Sequence, residues 1–136
     1  MKAIKVKAEK CVGCRICEQW CSVGHYDLIN PRKSRISVHR SHADQASYPL
    51  VCRQCPDAPC LGACPDKVMA LSRDRATGAI RVDEESCLAC GKCIKACPYG
   101  AIKKHPAEKQ VLVCDLCGGE PQCVKHCPEQ ALSYIE

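Results

Sequence analysis

Sixteen cysteines hold the reactive chemistry of this 136-residue chain, and they come in four runs. "CVGCRICEQWC" holds Cys11, Cys14, Cys17 and Cys21, and "CRQCPDAPCLGACP" holds Cys52, Cys55, Cys60 and Cys64. "CLACGKCIKACP" holds Cys87, Cys90, Cys93 and Cys97, and "CDLCGGEPQCVKHCP" holds Cys114, Cys117, Cys123 and Cys127. Each run is C-x-x-C, a third cysteine after two to five residues, then C-x-x-x-C. No cysteine is left over. Runs two, three and four close on Cys-Pro; the first closes on Cys21-Ser22 and departs from the pattern there.

Thiols at this density either pair as disulfides or hold metal. The opening "MKAIKVKAEKC" has a Lys or Glu at every second or third position, no apolar signal region and no twin-Arg pair. A reducing, cytoplasmic setting is therefore expected, where such patterns bind metal or do redox chemistry. Cysteines at i, i+3 and i+6 lie on a tight loop and can converge on three corners of a cubane. C-x₂-C-x₂-C-x₃-C-P is the bacterial 4Fe–4S run, in which the fourth cysteine serves the other cluster. The proline after it fixes φ and turns the chain out of the helix. Structural zinc, the alternative, favours two C-x-x-C pairs with a longer spacer, and has no use for a third cysteine inside the loop. All sixteen cysteines are thus candidate ligands of four 4Fe–4S clusters. No Ser-His-Asp set, paired carboxylates or phosphate loop is visible, and the "CGG" at 117–119 lacks the context of a dinucleotide motif. A non-catalytic role is expected.

Phe is absent, Trp occurs once and Tyr four times, so the hydrophobic core must be thin for a chain that already buries little surface. Cluster binding then supplies folding energy. The formal charge is +5. Each oxidised cluster with four thiolates adds about −2, bringing the loaded chain to about −3. The basic count therefore does not indicate nucleic-acid binding, and aromatics for base stacking are few. No stretch approaches the length of a membrane span.

The elements that must position these cysteines are short. "AIKVKAEKC", "AIRVDEESC" and "QVLVC" lead into runs one, three and four as strands, with Ile4 and Val6, and Ile80 and Val82, each on one face. After each Cys-Pro comes an apolar return: "DKVMAL", "YGAIKK" and "EQALSYI". The unit reads as strand, cysteine loop, short helix with the fourth cysteine, and strand. The fold class is α+β: two bacterial-ferredoxin-like (βαβ) halves with little core. Residues 1–21 with 110–136 form an outer half, 50–109 an inner half, and 22–49 an insertion that either docks a partner or packs. Within it, Asn30-Pro31 breaks the chain, "RISVHR" is a candidate strand, and "NPRKSR" at 30–35 reads as a solvated face or an acidic-partner patch. Thr77-Gly78 suits a turn. Gly13, Gly91, Gly118 and Gly119 either bring backbone amides to sulfur or serve tight turns. His25, His39, His42 and His105 read as surface or turn residues, His126 as a non-ligand, and Trp20 as packing over a cluster.

On these motifs, with runs two and four stretched before their third cysteine, the chain resembles the four-cluster electron-transfer subunits of the dimethyl sulfoxide reductase beta-subunit type. It most resembles the small subunit of a tungsten-dependent aldehyde oxidoreductase. The resemblance implies that outer runs pair with each other and inner runs likewise. Cys11, Cys14, Cys17 and Cys127 would hold one cluster, and Cys114, Cys117, Cys123 and Cys21 its neighbour. Cys52, Cys55, Cys60 and Cys97 would hold a third, and Cys87, Cys90, Cys93 and Cys64 the fourth. It also implies four 4Fe–4S clusters with no three-iron cluster, and a soluble complex. The expected function is relay of single electrons between a pterin-tungsten or pterin-molybdenum catalytic subunit and a redox partner, either a flavin subunit or a ferredoxin. End-to-end self-association is a further option. A free polyferredoxin is the rival reading, and a structural zinc protein the rival from another class.

Overall fold

In the computed structural model, which describes residues 2–41, 43 and 45–136, eight short strands and four helices follow the four cysteine runs. β1 (Ala3–Val6), α1 (Ile16–Tyr26) and β2 (Ser37–Arg40) frame the first run. β3 (Ser47–Leu50), α2 (Pro59–Ala63) and β4 (Leu71–Arg73) frame the second. β5 (Ile80–Val82), α3 (Lys92–Ala96) and β6 (Lys103–Lys104) frame the third, and β7 (Val111–Leu112), α4 (Gln122–His126) and β8 (Leu132–Ile135) the fourth. Each unit is strand, cysteine loop, helix, strand.

The strands join neighbouring units. β2 pairs with β3, β4 with β5, β6 with β7, and β8 returns to β1, every pair antiparallel. The helices join differently: α1 packs on α4, and α2 on α3. The two strands flanking one helix therefore lie in different sheets, which differs from a parallel βαβ unit. The connection is spent on the cysteine loop, and a five-residue helix rises only about 7.5 Å, too little to carry the chain back along a sheet. Hairpins to the next unit are the local alternative. In the β4–β5 hairpin, the Asp74 carboxylate accepts from the Thr77 amide and hydroxyl, and Gly78 takes φ +77°.

The third cysteine of every run is the second residue of its helix. The fourth lies four residues on, on the same face. In α2, α3 and α4 the helix stops there: Cys64, Cys97 and Cys127 take extended backbone angles, because the proline that follows disfavours the α region for its predecessor. α1 meets Ser22 instead and continues to Tyr26 before Asp27 turns left-handed at φ +58°.

Cys17, Cys21, Cys52, Cys60, Cys87, Cys93, Cys114 and Cys123 are buried among Ile36, Ile80, Leu112, Val113 and Leu116. Parts of segment 22–49 join this interior. Ser34 and Ile36 are fully buried, the Ser22 hydroxyl accepts from the Asn30 amide, and the buried Glu18 carboxylate accepts from the Val38 amide at 2.7 Å. The solvated reading of 30–35 is corrected at Ser34 and Arg35, since both are drawn in to close the end of α1. Leu28 and Ile29 remain exposed. No helix among the described residues is long and apolar enough to cross a membrane.

Candidate metal centre

The helix pairs bring thiols from distant runs together. One cleft is lined by Cys11, Cys14, Cys17 and Cys127, with Val38, Pro49 and Leu132 as its apolar walls. A second is lined by Cys52, Cys55, Cys60 and Cys97, with Ile80, Ala101 and Ile102. Burial raises Cys123, and the neighbouring thiols Cys21, Cys117 and Cys17 raise it further. Burial raises Cys114, and Cys123, Cys21 and Cys52 add to it. Cys21 thus lies near Cys114, Cys117 and Cys123. Burial, and next Cys87, raise the Cys93 thiol to about 11, and α2, which is followed by Cys64, packs on α3. The cross-influences also link the runs. Cys17 reaches Cys123, Cys114 reaches Cys52, and Cys93 reaches Cys60. In the packing, α1 lies on α4, Gln54 of run two bonds the Cys114 carbonyl of run four, and α2 lies on α3. The two exposed thiols are Cys14 and Cys90.

Backbone amides meet the sulfurs in two recurring ways. The residue two past the first cysteine takes a left-handed backbone in every run: Gly13 (φ +75°), Gln54 (+52°), Ala89 (+52°) and Leu116 (+57°). In the last three its amide donates to the first sulfur, at 3.4 Å to Cys52, 3.5 Å to Cys87 and 3.4 Å to Cys114. Only the first run uses glycine there, where an added Cβ would stand 2.6 Å from the Ser47 hydroxyl. The fourth sulfur receives an amide from beyond the helix. Ala101 donates to Cys97 at 3.5 Å, Ala131 to Cys127 at 3.4 Å, and Ala70 to Cys64 at 3.3 Å. For Cys21 the donor is Arg35, fourteen residues on, at 3.2 Å. These donors differ from the glycines that sequence reading proposed, because a turn that aims an amide need not contain one.

Gln54 ties runs two and four together. It is fully buried; its Nε2 donates to the Cys114 carbonyl at 2.8 Å and its Oε1 accepts from the Ile80 amide at 2.9 Å. Nothing in its sequence context marks it. A charged cluster lies beside the Cys114 group. Arg35 Nη1 donates to the Val113 carbonyl at 3.2 Å and to Asp115 Oδ2 at 3.4 Å, the two residues flanking Cys114. His25 places Nδ1 2.8 Å from the Cys21 carbonyl and Nε2 2.9 Å from Asp115 Oδ1. Both partners are acceptors, so both ring nitrogens carry hydrogen. Burial opposes that charge, but the Asp115 and Cys21 hydrogen bonds raise the imidazole to about 10. Burial likewise opposes the Asp115 carboxylate, and His25 and Arg35 hold it near 2. His25 is thus a half-buried group paired with Asp115, which corrects its surface reading.

The donor set fits an iron–sulfur group better than single ions. Among the described residues, His25, Asp115 and Cys117 form the one trio of metal-type ligand atoms within 4.8 Å of one another. Asp115 in it already accepts from the Cys117 amide. No cysteine quartet is drawn in that tightly, whereas four sulfurs on one tetrahedral zinc would lie about 3.8 Å apart. Sulfurs that are neighbours yet more widely spaced suit the corners of a cubane. Thiols raised by burial, such as Cys17 at about 12 and Cys52 at about 11, need a cationic partner to ionise.

The remaining sites are auxiliary. Trp20 stacks on His126 with centroids 3.6 Å apart, bridging α1 and α4 beside Cys21 and Cys127. His39 is exposed and stacks on Tyr48. His105 is buried and caps its turn by accepting from the Ala107 and Glu108 amides, which places it in a turn but not at the surface. His42 lies outside the described residues.

A cysteine-lined scaffold of this kind defines an iron–sulfur, ferredoxin-type protein, and the chain belongs to the 4Fe–4S dicluster domain family, whose match spans residues 43–136. It is 48% identical over 127 residues to the polyferredoxin-like subunit of an aliphatic sulfonate oxidoreductase from Pyrococcus furiosus, covering 93% of this chain and 71% of that one. It is 38% identical over 141 residues to the putative electron transport protein YsaA of Escherichia coli, covering 95% and 86%. Among solved structures, a chain of the active site complex BamBC of benzoyl coenzyme A reductase superposes with TM-score 0.58 at 28% identity, covering 99% of this chain and 79% of that chain.

Proposed function

We propose that the chain is a non-catalytic electron-transfer subunit holding four 4Fe–4S clusters in a line. Cys11, Cys14, Cys17 and Cys127 hold the first; Cys114, Cys117, Cys123 and Cys21 the second; Cys52, Cys55, Cys60 and Cys97 the third; Cys87, Cys90, Cys93 and Cys64 the fourth. The outer pair and the inner pair form two ferredoxin-like halves. The observation that carries this reading is the pair of clefts that are each lined by three cysteines of one run and the fourth cysteine of another. When bound, each cluster takes up and gives back one electron. The protein's own part is to space and insulate. Ile80, Ile102, Leu116 and Leu132 keep water from the sulfurs, and the backbone amides stabilise their negative charge.

The partner is a catalytic oxidoreductase subunit at one end, with a flavin protein or ferredoxin at the other. The relation to an oxidoreductase subunit in Pyrococcus furiosus supports it. A pterin-tungsten or pterin-molybdenum aldehyde oxidoreductase is the partner type that the family resemblance implies. The relation to an electron transport protein favours a free carrier as the second reading. Iron, zinc and sulfide per chain on anaerobically purified protein, with co-purifying chains identified by mass spectrometry, tests both. About sixteen irons and as many sulfides with a large catalytic chain are expected. The same iron with no partner supports the free carrier, and zinc without sulfide overturns electron transfer altogether.

A further inference from the structure

The segment between α1 and β2 does more than close a helix. It carries Arg35 under the Cys114 loop, where its main chain and side chain make separate contacts. The amide donates to Cys21 Sγ at 3.2 Å, while the guanidinium bonds both residues flanking Cys114. The side chain is 11% exposed. Its Nε is buried and has no acceptor among the described residues. Its charge also reaches Cys117. The guanidinium is therefore fixed on the two residues that flank Cys114, while the main-chain amide of the same residue meets Cys21.

Of three arginines near the other groups, two are exposed and one is half-buried like Arg35. Arg15 is 55% exposed and pairs with Glu18. Arg53 is exposed and lies over the Tyr99 ring at 4.0 Å. Arg73 is half-buried and bonds the Cys55 and Gly78 carbonyls. A buried charge is screened far less than an exposed one, and cluster potential follows local charge and hydrogen bonding at sulfur. Reduction adds one negative charge to the group that Arg35 adjoins.

We propose that Arg35 is the potential-setting residue of the group formed by Cys21, Cys114, Cys117 and Cys123, holding that one cluster easier to reduce than it would otherwise be, with Asp115 as the opposing charge. This rests on the reading of that group as a cluster site. Arg35→Gln removes the charge and leaves the main-chain amide on Cys21 in place. Asp115→Asn removes the opposing charge, while its side-chain carbonyl can still accept from the Cys117 amide. The two substitutions should move the same cluster in opposite directions.

The test is a redox titration followed by electron paramagnetic resonance on the loaded full chain, after iron and sulfide counts. The resonance altered by Cys21→Ser identifies the site. Arg35→Gln should make its reduction at least tenfold less favourable, about 59 mV for one electron, and move the other three less. Asp115→Asn should shift it upward, and Arg35→Lys should leave it near the native value. If Arg35→Gln fails to retain iron, the Asp115→Asn and Arg35→Lys titrations decide in its place. The proposal is overturned if the identified resonance stays within tenfold of native in Arg35→Gln, moves with the opposite sign in Arg35→Gln or Asp115→Asn, or shifts only together with all the others. Native protein without sulfide would sink the cluster reading and this inference together. Native protein with about sixteen irons and an unmoved resonance would sink the inference alone.

Discussion

The exit from α1 and the exits from α2, α3 and α4 solve one problem in two ways. Each must end near its fourth cysteine and present an amide to that sulfur. Cys97 and Cys127 do it within four residues: proline stops the helix and the fourth residue on, Ala101 or Ala131, donates. Cys64 does it within six, through Ala70. Cys21 lacks the proline, so the helix runs on five residues and the donor comes from Arg35. The local device is compact but delivers only an amide. The long device needs its own anchors, the Ser22 hydroxyl on Asn30 and Glu18 on Val38, yet it also brings a buried guanidinium. A longer return loop thus adds a charge that a proline turn has no room to carry.

The harshest test removes what all four exits close on. Chelating iron from the anaerobic protein should abolish helical circular dichroism and proton chemical-shift dispersion, because the thiol groups, not an apolar core, hold the halves together. A chain that stays folded would show the exits to be self-sufficient. Next, Ser22→Pro gives α1 the exit of the other three helices. It breaks α1 after Cys21 and removes the hydroxyl that binds Asn30, so a loss above about 3 kcal/mol in denaturant unfolding is expected. Iron should fall by about a quarter. Native stability and full iron would make the two exits interchangeable.

Glu18→Ala loosens only the long device. Losing a carboxylate bond to a buried amide should cost about 1.5–3 kcal/mol and speed hydrogen exchange at Val38 and Arg35, while Ala101 and Ala131 stay protected. Equal exchange at all three exits would break the comparison. The smallest effect belongs to Pro128→Ala, where Cys127 already holds its extended angles inside a packed unit. A loss below about 1 kcal/mol, seen as a slightly lower Tm with iron retained, is expected. Loss of iron would show that the proline itself sets the ligand position.

Much of the centre was legible because it is local. Spacing of two residues puts Cys87, Cys90 and Cys93 on one loop, and i, i+4 spacing puts Cys97 one turn on. The strands near Ile4, Ile80, Val111 and Leu132 also lie where the apolar stretches predicted them. The misread residues, His25 and Arg35, share one cause. Each is a polar side chain with a partner from a distant segment, and neither composition nor spacing records that.

The sequence by itself determined the sixteen thiols, the loops they share, the four-unit repeat and the place where the repeat breaks after Cys21. It is the packing of distant segments that sets Cys127 in the cleft of run one, Cys97 in that of run two, and the strands in a cyclic pairing between units. It also decided that Arg35 lies against Cys114, 79 residues away in the chain. The reason is range: ligand spacing is set by a few covalent bonds, whereas these contacts follow from α1 packing on α4, α2 on α3, and Gln54 bridging the two pairs.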